Sequence, residues 1–229
     1  MSRVVFVETV RRHVSNAAFL TLLCFMSAIA AVVGGAGGPR GLWTSFIGVA
    51  AIILGCQLIG PEFSKGTLQL VLAKPVNRAA YLLSRYAGVV ASIWIFFAAP
   101  FLCDLIMRVA FHREPFEIAA AAEPLNAALA FTMTCALLVL FGSFTRSYLN
   151  VAIYLVIETV LYVSEEILQQ TSVPAEITRA IATIIQNLFP SAPASFDPRW
   201  TMMVISNAAV AVLLVCYVFR RREVPYGAD

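Results

Sequence analysis

Long apolar runs alternate with short polar connections along most of this chain. Six of them, 17–38, 42–60, 87–107, 125–144, 148–168 and 200–219, approach the roughly 20 residues a helix needs to cross a bilayer. Lipid offers no partner for backbone amides, so each run is predicted to be helical. The connections carry patterns of their own. In residues 1–15 a 100° period puts Phe6, Val7, Val10 and Val14 on one face, with Glu8, Arg11, Arg12 and Ser15 on the other. This reads as a helix lying in the membrane surface, with its arginines near anionic lipid. A basic N-terminus that only fixes topology is the alternative. Between Pro174 and Pro190, Ile177, Ile181, Ile184, Ile185 and Leu188 recur at helical spacing in a stretch too short to span. That predicts a short helix lying on the bilayer or dipping back into it.

Composition sharpens the class. Sixty per cent of the residues are hydrophobic and 13% are charged, too little polar surface for a soluble domain of 229 residues. The first apolar run is read as a span, not a cleaved leader, because its polar lead is long and five more runs follow. With the N-terminus inside, eleven of the sixteen basic residues fall in inner segments and five in outer ones, while most acids lie outside. Both termini are therefore expected inside. The first span ends in VVGGAGGPRG, where Gly34 and Gly38 form GxxxG. Close helix packing and a helix ending in a tight turn before Pro39 are both compatible with it.

The longest inner connection, 61–86, has a grammar of its own. Pro61 ends the second span, Gly66 breaks the chain, and Thr67 caps a short helix that presents Leu68, Val71 and Leu72 on one side. Pro75 ends that helix. Asn77 caps a second one starting at Arg78 that runs toward the third span. An exposed helix with an apolar face between two breaks has the form that seats in a partner's groove. An interfacial helix resting on lipid is the plainer reading.

Side chains suited to catalysis are sparse. GPEFSKGT lacks the order of the phosphate loop GxxxxGK[ST], because Lys65 precedes Gly66 and no strand leads into it. His13 and His112 fall on opposite sides of the membrane. The five cysteines are scattered one per apolar run, and the methionines show no ligand spacing, so both read as core and no metal site is expected. Glu158, within the fifth run, shares a stripe with Asn150 and Tyr154. A carboxylate there costs at least ~2.5 kcal/mol on insertion scales. Those three residues either line a translocation path or form a polar contact inside the bundle.

The run GPEFSKGTLQLVLAKPVNRAAYLLSRY resembles the segment after the second span in permease subunits of ABC transporters of the type-2 exporter class. Glu62, Gly66, Thr67, Leu68, Pro75, Val76, Asn77 and Arg78 carry the match. The resemblance implies an all-α polytopic membrane protein with six transmembrane helices, an N-terminal amphipathic interfacial helix, a cytosolic coupling helix and a short outer re-entrant helix. As one transmembrane domain it divides into 1–15, 17–60, 61–86, 87–168, 169–199 and 200–219. It further implies that residues 61–78 dock a separate ABC ATPase subunit through Glu62, Gly66, Thr67, Leu68, Val71, Leu72, Pro75, Asn77 and Arg78, with Glu8, Arg11 and Arg12 in support. ATP and Mg would sit on that partner and no cofactor on this chain, which is not itself an enzyme. A second permease copy, as homo- or heterodimer, the lipid bilayer, no nucleic acid, and a bacterial cytoplasmic membrane complete the expectation. The competing reading is an ion-coupled secondary transporter working through Glu158.

Overall fold

A computed structural model of the chain describes residues 2–56, 78–112, 121–145, 149–170, 175–188 and 192–221. Every regular element among them is helical: α1 (Arg3–Val14), α2 (Ala17–Gly35), α3 (Gly41–Cys56), α4 (Arg78–His112), α5 (Ala122–Gly142), α6 (Leu149–Gln170), α7 (Ala175–Leu188) and α8 (Pro198–Arg221). Helices α2, α4, α5 and α8 are long and apolar enough to cross a membrane. Helices α3 and α6 contain shorter apolar stretches, Gly41–Gly55 and Leu149–Val160.

Local chemistry sets several of these boundaries. The Asn16 side chain accepts from the Ala18 amide and caps α2. At the other end of α2, Gly37 takes φ +69°. The Gly38 amide then reaches Val33 O at 2.9 Å and the Gly37 amide reaches Gly34 O at 3.2 Å. This is a Schellman closure, and Pro39 follows it as a stop. Asp197 caps α8 by accepting from the Arg199 amide at 2.9 Å, with Pro198 at the first helical position.

Helix α4 is the spine. Its 35 residues span about 52 Å at 1.5 Å per residue, against a hydrocarbon thickness near 30 Å. It therefore extends past both ends of the apolar run at 87–107. Pro100 lies inside it, removing the bond that its amide would make to Phe96 O, yet the helix continues to His112.

The contacts fix helix directions. Gly34 of α2 meets Asp104 of α4, while Phe19, near the start of α2, packs its ring 5.5 Å from Phe96. The two helices run the same way. Gly48 and Gly55 of α3 meet Phe131 and Leu138 of α5, so those two also share a direction. On α6, Asn150 reaches Leu138 O while Tyr154 reaches Thr134, so α6 opposes α5. The core lies between α2, α3, α4 and α5, with Met26, Trp43, Ile47, Val89, Ile93 and Phe96 almost wholly enclosed. Trp43, Phe97 and Phe101 form a stacked series through it, at 6.2 and 5.3 Å. The perimeter is apolar as well, with Phe25, Val32, Ile106, Val156, Met202 and Leu213 exposed, as lipid contact requires.

Candidate functional site

The segment on which the resemblance rests begins just before α4. Glu62, Gly66, Thr67, Leu68, Val71, Leu72, Pro75 and Asn77 lie outside the described residues; Arg78 is the first residue of α4. The helix expected from Arg78 and the third apolar run are one continuous element.

Helix α1 is docked along the first turns of α4. The Ser2 amide donates to Ser84 Oγ at 2.7 Å. Thr9 is buried, and Gly88 leaves room for it: a Cβ on Gly88 would stand 2.7 Å from Thr9 Cβ and 3.2 Å from Phe6 O. At the C-terminal end of α1, His13 Nδ1 lies 3.2 Å from Ser92 Oγ. The Ser92 hydroxyl donates to Gly88 O, which leaves its oxygen to accept from Nδ1–H.

The contact of α1 with α4 is thus made by small and polar side chains, while Phe6, Val10 and Val14 of its apolar face are half-buried. Ser2, Thr9 and His13 point at α4, whereas Val4 and Val7 are exposed. The reason is spacing: α1 and α4 approach so closely at Gly88 that only a small side chain fits between them. Glu8, Arg11 and Arg12 project away from this contact and are exposed beside the start of α4.

Burial, then the positive charges of Arg85 and Arg12, push His13 down to about 4 from its ordinary 6.5. The sign follows directly. Docked α1 carries a neutral imidazole, while released α1 takes up a proton at 6.5. Docking is therefore at full strength above pH 6.5, weakens as the pH falls through the window from 6.5 to about 4, and levels off below it. Spin labels at positions 8 and 83, both exposed, should show a narrow distance distribution at neutral pH that broadens through this window. The His13→Gln protein should lose that pH dependence. Equal broadening in both proteins would contradict the role given to His13.

On α6, the three residues singled out separate into two groups. Asn150 is buried and donates to Leu138 O at 3.2 Å, and Tyr154 is buried with its hydroxyl 3.5 Å from Thr134 Oγ1. Both are committed to the α5 contact. Glu158, one turn on, is only partly buried.

A cluster that hydrophobic patterning does not mark lies at the opposite end of α4 from α1. Asp104 is 1% exposed and accepts from Arg108 Nε at 3.1 and 3.2 Å and from Arg40 Nε at 3.0 Å. Asp104, Arg108 and His112 recur at every fourth position of one helix, and that D-x3-R-x3-H spacing was the available signal.

Among curated proteins, none matches the chain. The sequence model of the ABC-2 family transporter proteins matches residues 13–224, which takes in every span and the whole of the 57–77 connection. The chain belongs to the ABC-2 family of transporter proteins and is a multi-pass permease subunit of an ABC transporter, a family that implies an ABC ATPase subunit as partner.

Proposed function

We propose that this chain is the membrane half of an ATP-driven exporter, in which a separate ATPase docks on residues 61–78 and drives substrate movement without covalent change. The observation that carries this reading is α4, which is already helical at Arg78, the last residue of that segment, and runs from there without a break for 35 residues. A displacement at its first turn is delivered to Asp104 and beyond, because a helix transmits axial motion as a rod. Helix α1, held on the same turns through Ser2, Thr9 and His13, offers Glu8, Arg11 and Arg12 to the ATPase beside the docking segment.

Six crossings fit the alternating directions, with α3 and α6 completing the set begun by α2, α4, α5 and α8. That number returns α8 to the side where α2 starts, which the basic residues make the cytoplasmic side of a bacterial membrane. The exposed apolar perimeter supplies both lipid contact and the face for a second permease copy. Helix α7 serves as the outer re-entrant helix, with Ile177 and Ile184 exposed along it. ATP and Mg belong to the partner subunit. Of the α6 stripe, Glu158 is the residue placed to line a path, since Asn150 and Tyr154 are taken up by α5.

The test is a double substitution, Leu68→Asp with Val71→Asp, in the tagged protein. Two carboxylates on the apolar side of the docking helix should abolish co-purification of the ATPase while membrane insertion stays normal. Each buried, unpaired charge costs several kcal/mol, enough to reduce association by roughly a hundredfold or more. Undiminished co-purification, with normal stimulated ATP hydrolysis, would count against docking at this segment.

A further inference from the structure

Three positions on one face of α4 grip the turn between α2 and α3. Asp104 receives Arg40 from the far side of the turn. Arg108 Nη2 donates to Gly38 O, and His112 Nε2 donates to Gly35 O at 3.0 Å. Of the last carbonyls of α2, those of Val32, Val33 and Gly34 accept from amides of the turn and Gly35 O accepts from His112, while Arg108 serves Gly38 O in the turn itself. The glycines make the approach possible. A Cβ on Gly34 would stand 2.6 Å from Asp104 O, and the His112 ring lies 3.4 Å from the Cβ position of Gly37. The Asp104 carboxylate also holds Arg108 in place, since both of its oxygens accept from Arg108 Nε.

We propose that Asp104, Arg108 and His112 form a clamp that fastens residues 34–40 to the outer end of α4, so that the α2–α3 turn and α4 move as one body. Asp104 is the positioning residue. It aligns one arginine toward the Gly38 carbonyl of the turn and draws a second, Arg40, over it. Motion that enters α4 at Arg78 then displaces α2 and α3 at the outer face instead of sliding past them. That consequence for transport rests on the exporter reading, while the clamp itself does not. Its test needs neither nucleotide nor ATPase, so either idea can fail alone.

Amide exchange in the full-length protein, reconstituted in lipid nanodiscs, reads the clamp directly. The amides of Ala36, Gly37 and Gly38 are bonded to Val32, Gly34 and Val33 and report on the turn. Asp104→Asn keeps the side-chain shape and removes the charge. It should raise exchange over 34–41 by about tenfold or more, with residues 2–15 changed by less than about twofold. A rise of equal size in 2–15 would mean that the cluster only adds general stability, and no rise at 34–41 would remove the clamp altogether. If Asp104→Asn gives no folded protein, Arg40→Gln decides, because Arg40 is partly exposed and holds Asp104 by one contact. A smaller rise confined to 34–41 is expected there, and an unchanged turn would overturn the proposal.

Discussion

Replacing Gly34 by alanine should lower the unfolding temperature of the purified protein by roughly 5–10 °C, at about 2–4 °C per kcal/mol for a chain of this size. The added methyl would stand 2.6 Å from Asp104 O and 3.0 Å from Asp104 Cα. Those are backbone atoms of α4, and no rotamer change relieves them, so α2 must back away along its most extensive contact. Alanine gains about 1 kcal/mol of helix propensity over glycine. Against that stand ~1–3 kcal/mol of overpacking and part of the ~3–5 kcal/mol lost when a buried ion pair is opened. The balance is a net loss of about 2–3 kcal/mol. Gly35→Ala is the control. There the methyl meets only Met107 Cε at 3.3 Å, the end of a flexible side chain, and propensity should leave the protein unchanged or slightly more stable. Equal effects at the two neighbours would contradict the account of how α2 seats on α4.

The second large effect is expected at Gly88. A methyl there would lie 2.7 and 2.8 Å from Thr9 Cβ and Cγ2, and 3.2 Å from Phe6 O, inside the contact that holds α1. Gly88→Ala should therefore release α1 while leaving the spans in place, because α1 meets the packing between α2, α3, α4 and α5 only at its edge, through Val5 and Val14. Release is read by cleavage: in the variant, added trypsin should cut after Arg11 and Arg12, sites that docked α1 holds in helical form. The compensating substitution Thr9→Gly, made in the Gly88→Ala protein, removes the atoms struck by the methyl and should restore protection in part. Protection that never changes, or that Thr9→Gly fails to recover at all, would show that α1 is held by something other than the Thr9–Gly88 contact.

Much of the architecture can be read without coordinates because lipid leaves the backbone so few options. Runs of about 20 apolar residues must be helices, and α2, α4, α5 and α8 stand where such runs predict them. Arg78, expected to lie at the head of a helix running toward the third span, is helical and continuous with that span. What the pattern leaves unmarked is the contact that α1 makes with α4. Hydrophobic periodicity sets Phe6, Val7, Val10 and Val14 toward the membrane and gives Thr9 no special place, whereas close helix approach rewards smallness and seats Thr9 against Gly88. At the Gly34–Gly38 motif both expectations hold at once: Gly34 is a close-packing site and Gly37 turns the chain.

The Asp104 cluster was hidden for a different reason. Arg40 comes from a turn 64 positions earlier, and charge near the end of a span reads as a topology signal until its partner is known. Asn150, Tyr154 and Glu158 illustrate the converse. One helical stripe predicts one shared environment, yet α5 covers the first two and leaves the third only partly buried. No sequence period contains the position of a neighbouring helix.

Purifying the tagged wild-type protein from its native membranes in mild detergent, and identifying what comes with it, decides whether this chain works as the permease of a separate ATPase. An ABC ATPase subunit should come with it in stoichiometric amount, retained by the wild-type protein and lost with Leu68→Asp and Val71→Asp. Recovery of the chain alone, together with transport that follows a proton gradient and vanishes in Glu158→Gln, would contradict it.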